Sequence, residues 1–287
     1  MSNIQYGKTP KTIAKLLHAK LADWLASIDD RQVREIAAAN AIVTGGAIAS
    51  MLLGESVNDY DVYFKTPDST LAVAEYYAET FTKPEVAATL VVTPEGTYRV
   101  KMVMSGNPGI VEPEGAKEPE DSLPEYTPVY VSENAISLTG DVQVIVRFCG
   151  SPEEIHKNFD FVHATNWYDY AENKVVTNTE ALQALLTRTL VYRGSLYPLC
   201  SLFRVKKFVQ RGWNIGAGEI LKMAFQVNEL DLRCMTTLKE QLMGVDSMYM
   251  TFLLREIEKE LGATVSLGSS DSLPTCHIVK LIDKVFG

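Results

Sequence analysis

Two glycines and two aspartates lie close together near the N-terminus, in the stretch TGGAIASMLLGESVNDYDVYF. Asp59 and Asp61 are separated only by Tyr60, inside a run whose other residues favour a strand. Successive side chains of a strand point to opposite faces, so these two carboxylates are expected to project side by side. Because two like charges that close repel each other, the pair predicts a shared divalent cation, either Mg²⁺ or Mn²⁺.

The glycine pair predicts a phosphate-binding turn. Gly45 and Gly46 follow the apolar run AIVT and precede AIASMLLG, which favours one or two helical turns. Such glycines allow a tight turn and a close approach of the backbone to phosphate oxygens, and the start of a helix attracts anions. Together with the carboxylates they indicate metal-assisted attack on a nucleoside triphosphate. Neither Gly-Lys-Ser/Thr nor G-x-G-x-x-G is present, which excludes a Walker loop and a Rossmann fingerprint.

The elements that must position these residues are those of an α+β head. Hydrophobic periodicity predicts helices over Pro10–Ser27, from Asp29 or Asp30 to Ala39, and over Thr70–Phe81. After Ser151 the pattern is helical. We therefore predict a mixed-sheet head over residues 1–150, followed by an all-helical neck and C-terminal domain over 151–287. Strands are predicted at AIVTGG, DYDVYF, TLVVT, TYRVKMVM, VYVSENAISLTG and DVQVIVRF.

Residues 105–128 interrupt the head with a different composition. The segment holds five prolines, three glycines, six acidic residues and one lysine. These residues favour turns and solvated chain, so we predict an acidic loop inserted within the head.

Composition limits the class of protein. The 287 residues are 46% apolar, enough for a packed core, and the net charge of -9 excludes a chain that is basic throughout. The four cysteines are widely spaced, which favours reduced thiols. No run approaches the ~18 apolar residues of a membrane span, and the N-terminus has no signal core. We expect a cytoplasmic protein with no membrane partner.

Residues 188–211 form a basic block in this acidic chain. No acidic residue occurs between Glu180 and Glu219, and the interval predicts a surface that binds a polyanion such as RNA. The six positive side chains of the block are Arg188, Arg193, Arg204, Lys206, Lys207 and Arg211.

The motifs together resemble the nucleotidyltransferase superfamily of DNA polymerase β, most of all its class II branch of CCA-adding enzymes and bacterial poly(A) polymerases. GGAIASMLLG, then ESVN, then DYD are similar to G-G-x-V-R-D-x-L-L-G followed by D-x-D. NFDFVHATNWYD resembles R-R-D-F-T-x-N-A-L, with Asp160 and Phe161 matching. SLFRVKKFVQRGWNI resembles L-R-A-I-R-F-A-A-R-L-G-F-x-I, with Arg204 and Lys207 among the matches. Nucleotidyltransferases of large bacteriophages look more similar still, which implies a phage-encoded protein in the host cytoplasm.

The departures from the branch limit what can be carried over. The Arg-Asp after the glycines is Ala49-Ser50 here, and the two arginines before D-F-T are Asn158-Phe159. The base-selecting E-D-x-x-R element would fall near residues 197–201, where YPLCS has neither the acid nor the arginine. Base selection and CCA addition are therefore not implied, although nucleotidyl transfer is.

The residue pattern and the resemblance together give each candidate residue an expected role. Asp59 and Asp61 would be catalytic and hold the metal. The superfamily often has a third carboxylate on a neighbouring strand, at the position of Gln143 here. Asp141 is the acidic residue on the same face and is the candidate third carboxylate; Asp160 is an alternative. The residues implied to bind the nucleotide are Gly45, Gly46, Ser50, Lys65, Asp160, Arg204 and Lys207.

The expected reaction is transfer of a nucleoside monophosphate from an NTP to an acceptor hydroxyl, with release of pyrophosphate. The acceptor is expected to be an RNA 3′ end, such as that of a tRNA, bound by the basic block. Two alternatives stay open: modification of a protein or small molecule, and a non-catalytic nucleotide-binding module of the same fold.

Overall fold

The computed structural model describes residues 7–80, 86–93, 96, 98–104, 109–110, 123–232 and 234–242. Its helices are α1 Pro10–Ala26, α2 Arg31–Asn40, α3 Gly46–Leu53, α4 Pro67–Glu79, α5 Pro152–His156, α6 Thr179–Thr187, α7 Pro198–Gln210, α8 Ala217–Asn228 and α9 Met235–Leu242. Its strands are β1 Ala41–Thr44, β2 Tyr60–Phe64, β3 Val86–Val92, β4 Tyr98–Met104, β5 Gly109–Ile110, β6 Pro128–Val131, β7 Ala135–Leu138, β8 Val142–Cys149, β9 Trp167–Asp169, β10 Lys174–Val176, β11 Thr189–Leu190 and β12 Asn214–Ile215. The predicted α+β class is confirmed.

The head is organised by an eight-stranded mixed sheet in the order β10-β9-β1-β2-β8-β7-β6-β5. β2 and β8 run parallel, and the other neighbouring pairs in this sheet are antiparallel. Val43 of β1 pairs with Val62 of β2, so the end of β1 lies beside the start of β2. The glycine turn, which follows β1, and the aspartates, which lie at the start of β2, are therefore at the same end of these two neighbouring strands.

The head elements form where the sequence pattern predicts them. In α1, apolar residues recur at helical spacing, and Ile13, Leu17, Leu21 and Trp24 are fully buried. Asp30 caps α2 by accepting from two N–H groups at its start. In β8 the buried valines at 142, 144 and 146 alternate with residues on the other face.

The described residues divide into two compact units. The first extends to Asn158 and resumes over His163–Leu185; the second comprises Phe159–Val162 and the chain from Leu186 onward.

The region predicted as helical after Ser151 also contains four short strands. β9 and β10 extend the head sheet, and β11 pairs with β12 in the second unit. Strands of two or three residues are too short to produce a recognisable alternation. β9 also depends on β1, a partner distant in sequence.

The predicted acidic loop is described only in part. Residues 105–108 and 111–122 lie outside the described residues, as do residues 243–287 of the predicted helical domain. Inside the loop, Gly109–Ile110 pairs with β6, and Pro128 already belongs to β6. In the described part of the chain, no helix is long and apolar enough to cross a membrane.

Candidate active site

Gly45 joins β1 to α3 in a backbone conformation that only glycine adopts readily. Its φ is 100° and its ψ is -146°. A Cβ atom placed there would lie 3.3 Å from the Oδ2 oxygen of Asp61. The residue is buried, and its N–H donates to the carbonyl of Ala164 at 3.1 Å. Gly45 is therefore required both by the turn and by the close approach of the Asp61 carboxylate.

A buried polar network fixes the residue before the turn. The hydroxyl of Thr44 donates to the carbonyl of Asn166 at 2.9 Å, and its Oγ1 lies 2.7 Å from Nε2 of His156. Since the hydroxyl has one hydrogen, His156 must donate from Nε2. The three residues are 8% exposed or less. This network anchors β1 to its neighbouring segments, so that the glycine turn starts from a rigid position.

The two aspartates differ in their surroundings. β2 begins at Tyr60, so Asp59 directly precedes the strand and is exposed, while Asp61 lies in the strand and is half-buried. The Oδ1 oxygen of Asp61 is buried, and Oδ2 is the oxygen nearest to Gly45. That these two carboxylates share a cation stays a prediction.

The position beside Asp61 on the next strand is an amide. Gln143 is the register partner of Asp61 across β2 and β8. Asp141 instead lies in the β7–β8 turn with a φ of 61°, exposed, and its backbone carbonyl accepts from the N–H of Tyr60. Burial and then the charge of Asp141 raise the pKa of Tyr60. The strand register therefore gives Gln143 as the neighbour of Asp61, and a catalytic Asp141 stays a prediction.

Two other predicted ligands belong to the head. Ser50 lies one turn after Gly46 on the same side of α3 and is half-buried. Lys65 directly follows β2, roughly 13 Å along the strand direction from Asp61. Its Nζ lies 2.6 Å from Oδ2 of Asp169, a carboxylate that is 4% exposed. The structure thus gives Lys65 an ion pair at the opposite end of β2.

The remaining predicted ligands, Asp160, Arg204 and Lys207, belong to the second unit. An Arg204 guanidinium nitrogen lies 2.6 Å from Oδ2 of Asp160, and the hydroxyl of Ser201 donates to the same oxygen at 3.0 Å. Lys207 lies one turn further along α7 and is half-buried. The pair from Asp160 to Arg204 therefore ties α7 to the segment at residues 159–162.

Breaking this ion pair is expected to destabilise the second unit. Arg204→Met should lower the free energy of unfolding by about 1–3 kcal/mol, because the partly buried Asp160 carboxylate loses a charged donor. Denaturant unfolding monitored by tryptophan fluorescence measures the change. The double variant Asp160→Asn with Arg204→Met should regain part of the loss. If Arg204→Met alone and Asp160→Asn alone both leave the free energy of unfolding unchanged, the ion pair does not stabilise the second unit.

Sequence patterns did not identify two residues that support the site. Ser137 accepts a hydrogen bond from the Gln143 amide across the β7–β8 hairpin, and Asn166 supplies the carbonyl that binds Thr44. A serine and a glutamine facing each other across a predicted hairpin could have indicated the first contact. The second joins residues far apart in sequence and leaves no local signal.

The described residues thus place a glycine turn beside a carboxylate in an α+β head. The solved structures that the chain matches include CCA-adding enzymes. That of Thermotoga maritima complexed with tRNA has a TM-score of 0.41 and 13% identity, covering 83% of this chain and 53% of that one. The CCA-adding enzyme of Bacillus stearothermophilus in complex with CTP has a TM-score of 0.40 and 14% identity, covering 96% of this chain and 52% of that one. A CCA-adding enzyme in complex with ATP has a TM-score of 0.43 and 12% identity, covering 91% of this chain and 58% of that one. Similarity this remote carries over no activity, substrate or partner.

The family itself is defined by sequence. The model of the Gabija anti-defense 2 family matches residues 15–188, more than half of the chain. The chain belongs to this family. A curated relative, "Gabija anti-defense 2" of Bacillus phage SPbetaL7, is 21% identical over 227 residues. The match covers 77% of this chain and 45% of that protein, so the chain spans less than half the length of its relative.

Proposed function

We propose that this protein is a metal-dependent nucleotidyltransferase, which moves a nucleoside monophosphate from an NTP to an acceptor hydroxyl and releases pyrophosphate. The observation that carries the proposal is the close approach of the Asp61 carboxylate, on β2, to the glycine turn. A Cβ atom at Gly45 would come within 3.3 Å of Asp61 Oδ2. Phosphates held at this turn would therefore lie next to a carboxylate, which is the juxtaposition that metal-assisted phosphoryl chemistry requires.

The proposed roles follow from the position of each side chain. Asp59 and Asp61 would hold Mg²⁺ or Mn²⁺, because carboxylate oxygens are the hard ligands these ions prefer. When bound, the cation would stabilise the charge that develops on the triphosphate. Gly46 is exposed at the start of α3, where N–H groups attract anions, and the half-buried Ser50 lies one turn later on the same side. They would hold the triphosphate while the anchored Gly45 turn keeps it close to Asp61.

For the acceptor we propose an RNA 3′ end, bound through the basic block at residues 188–211. Six positive charges without an intervening acid favour a phosphate backbone. Lys206 is exposed on α7, and Arg211 stacks on the ring of Phe208. The charge of Arg204 is largely offset by its ion pair with Asp160.

A second acceptor class is favoured by two observations. The net charge is -9, and the ion pair of Arg204 reduces the positive field of the basic block. A host protein or small molecule would then receive the nucleotide. The name of the phage relative, Gabija anti-defense 2, describes a protein that counters a host defence. We propose the same role for this chain, with nucleotidyl transfer as its means.

Labelled nucleotides distinguish these acceptors. The purified protein is incubated with each α-labelled NTP, Mg²⁺ or Mn²⁺, and separately with total RNA, total protein or a protein-free extract of the host. We expect the label in RNA, sensitive to ribonuclease, with one pyrophosphate released per nucleotide; 3′-end sequencing then identifies the base added. Label in protein or in the extract would select the second acceptor class. Nucleotide binding without incorporation in any pool would indicate a non-catalytic module.

A further inference from the structure

We propose that the amide oxygen of Gln143 is a third protein ligand of the divalent cation at Asp61, an inference that rests on the proposed function. The first observation is register. Gln143 pairs with Asp61 across the parallel strands β2 and β8. Directly paired residues of neighbouring strands point to the same face, so the amide and the carboxylate lie side by side.

The second observation is how the amide is held. Its Nε2 donates to Oγ of Ser137 on β7 at 3.3 Å. In the sheet, β8 lies between β2 and β7, so a nitrogen directed at β7 leaves the amide oxygen on the side of β2. Ser137 thereby turns the oxygen of Gln143 toward Asp61.

The third observation is the type of ligand available. Among the described residues, no group of three or more His, Cys, Asp and Glu is arranged to hold a metal. Within the described part of the chain, a third protein ligand beside the two aspartates would then be neutral, and an amide oxygen suits Mg²⁺ and Mn²⁺. Two carboxylates and one amide give the site a charge that one divalent cation neutralises, whereas a third carboxylate would leave an excess negative charge.

Binding of Mn²⁺ alone tests this without any catalytic step. The Kd is measured by calorimetry, or by the electron paramagnetic resonance signal of free Mn²⁺, on the full chain without nucleotide. Gln143→Ala should weaken binding about tenfold, and Ser137→Ala should weaken it less, because it only loosens the amide. Gln143→Glu should bind Mn²⁺ about tenfold more tightly, because it adds a charged ligand. The same charge change at the exposed residue Gln32, as Gln32→Glu, should have no effect.

The outcomes separate the inference from the function on which it rests. If Asp61→Asn abolishes Mn²⁺ binding while both Gln143 variants bind like the wild type, the third ligand is wrong and the metal site stands. If Asp61→Asn also binds like the wild type, the metal is not held at this edge of the sheet, and both proposals fail. Circular dichroism establishes that each variant is folded; Gln143→Met, which keeps the length of the side chain and lacks the amide oxygen, should also weaken binding and decides the question if Gln143→Ala does not fold.

Discussion

Replacement of Asp61 by asparagine is expected to lower nucleotide incorporation about a thousandfold, equivalent to about 4 kcal/mol of transition-state stabilisation. Asparagine has the shape of aspartate, so the change removes a charge and leaves the packing of β2 in place. The half-buried carboxylate of Asp61 lies next to Gly45 and so beside the proposed phosphates. Incorporation of labelled NTP, measured as an initial rate with saturating Mg²⁺, gives the ratio directly.

The stability of the Asp61→Asn variant distinguishes a functional aspartate from a structural one. In the absence of divalent cations its melting temperature should equal or exceed that of the wild type, because repulsion between Asp59 and Asp61 is relieved. Added Mg²⁺ or Mn²⁺ should raise the melting temperature of the wild type and leave that of the variant unchanged. The matched control is Asp29→Asn, an exposed aspartate elsewhere in the head. Incorporation at the wild-type rate by Asp61→Asn would refute the enzymatic proposal.

Much of the head could be predicted because its elements carry local signals. The stripe from Ile13 to Trp24 in α1, the Asp30 cap and the alternation in β8 each arise within a few residues of sequence. β9 and β10 lacked such a signal. β9 pairs with β1, more than one hundred residues earlier, and β10 joins the sheet only through β9. A sequence pattern reports what a segment prefers, and not which distant strand completes it.

The site was predictable to the same extent. Spacing identified Gly45 and Asp61, because the turn and the strand are adjacent in sequence. The resemblance pointed to the position of Gln143 on a neighbouring strand, but it could not show the hydrogen bond between its amide and Ser137 on the next strand. Lys65 was predicted as a phosphate ligand from its closeness to the aspartates in sequence. The direction of β2 instead carries it toward Asp169, which only the fold reveals.

Alanine substitutions at the two glycines of the turn should affect different properties, stability at Gly45 and nucleotide binding at Gly46. Gly45→Ala is expected to lower the free energy of unfolding by about 2 kcal/mol or more, because alanine does not readily adopt its backbone conformation. The added methyl group would also press on Asp61 Oδ2 at 3.3 Å. Thermal and denaturant unfolding measure the loss. Wild-type stability in this variant would show that the turn does not have the conformation described here.

Gly46→Ala should instead weaken nucleotide binding without lowering stability. Gly46 is exposed at the first position of α3, its φ is not positive, and no neighbouring atom lies within 4 Å of a Cβ placed there. Stability should therefore stay the same or rise slightly, since alanine is the better helix former. Nucleotide affinity, measured by calorimetry with a non-hydrolysable NTP, should fall about tenfold, because the methyl group stands where phosphate oxygens would meet the helix start. If affinity and stability are both unchanged, phosphates do not bind at this turn, and the site must lie elsewhere.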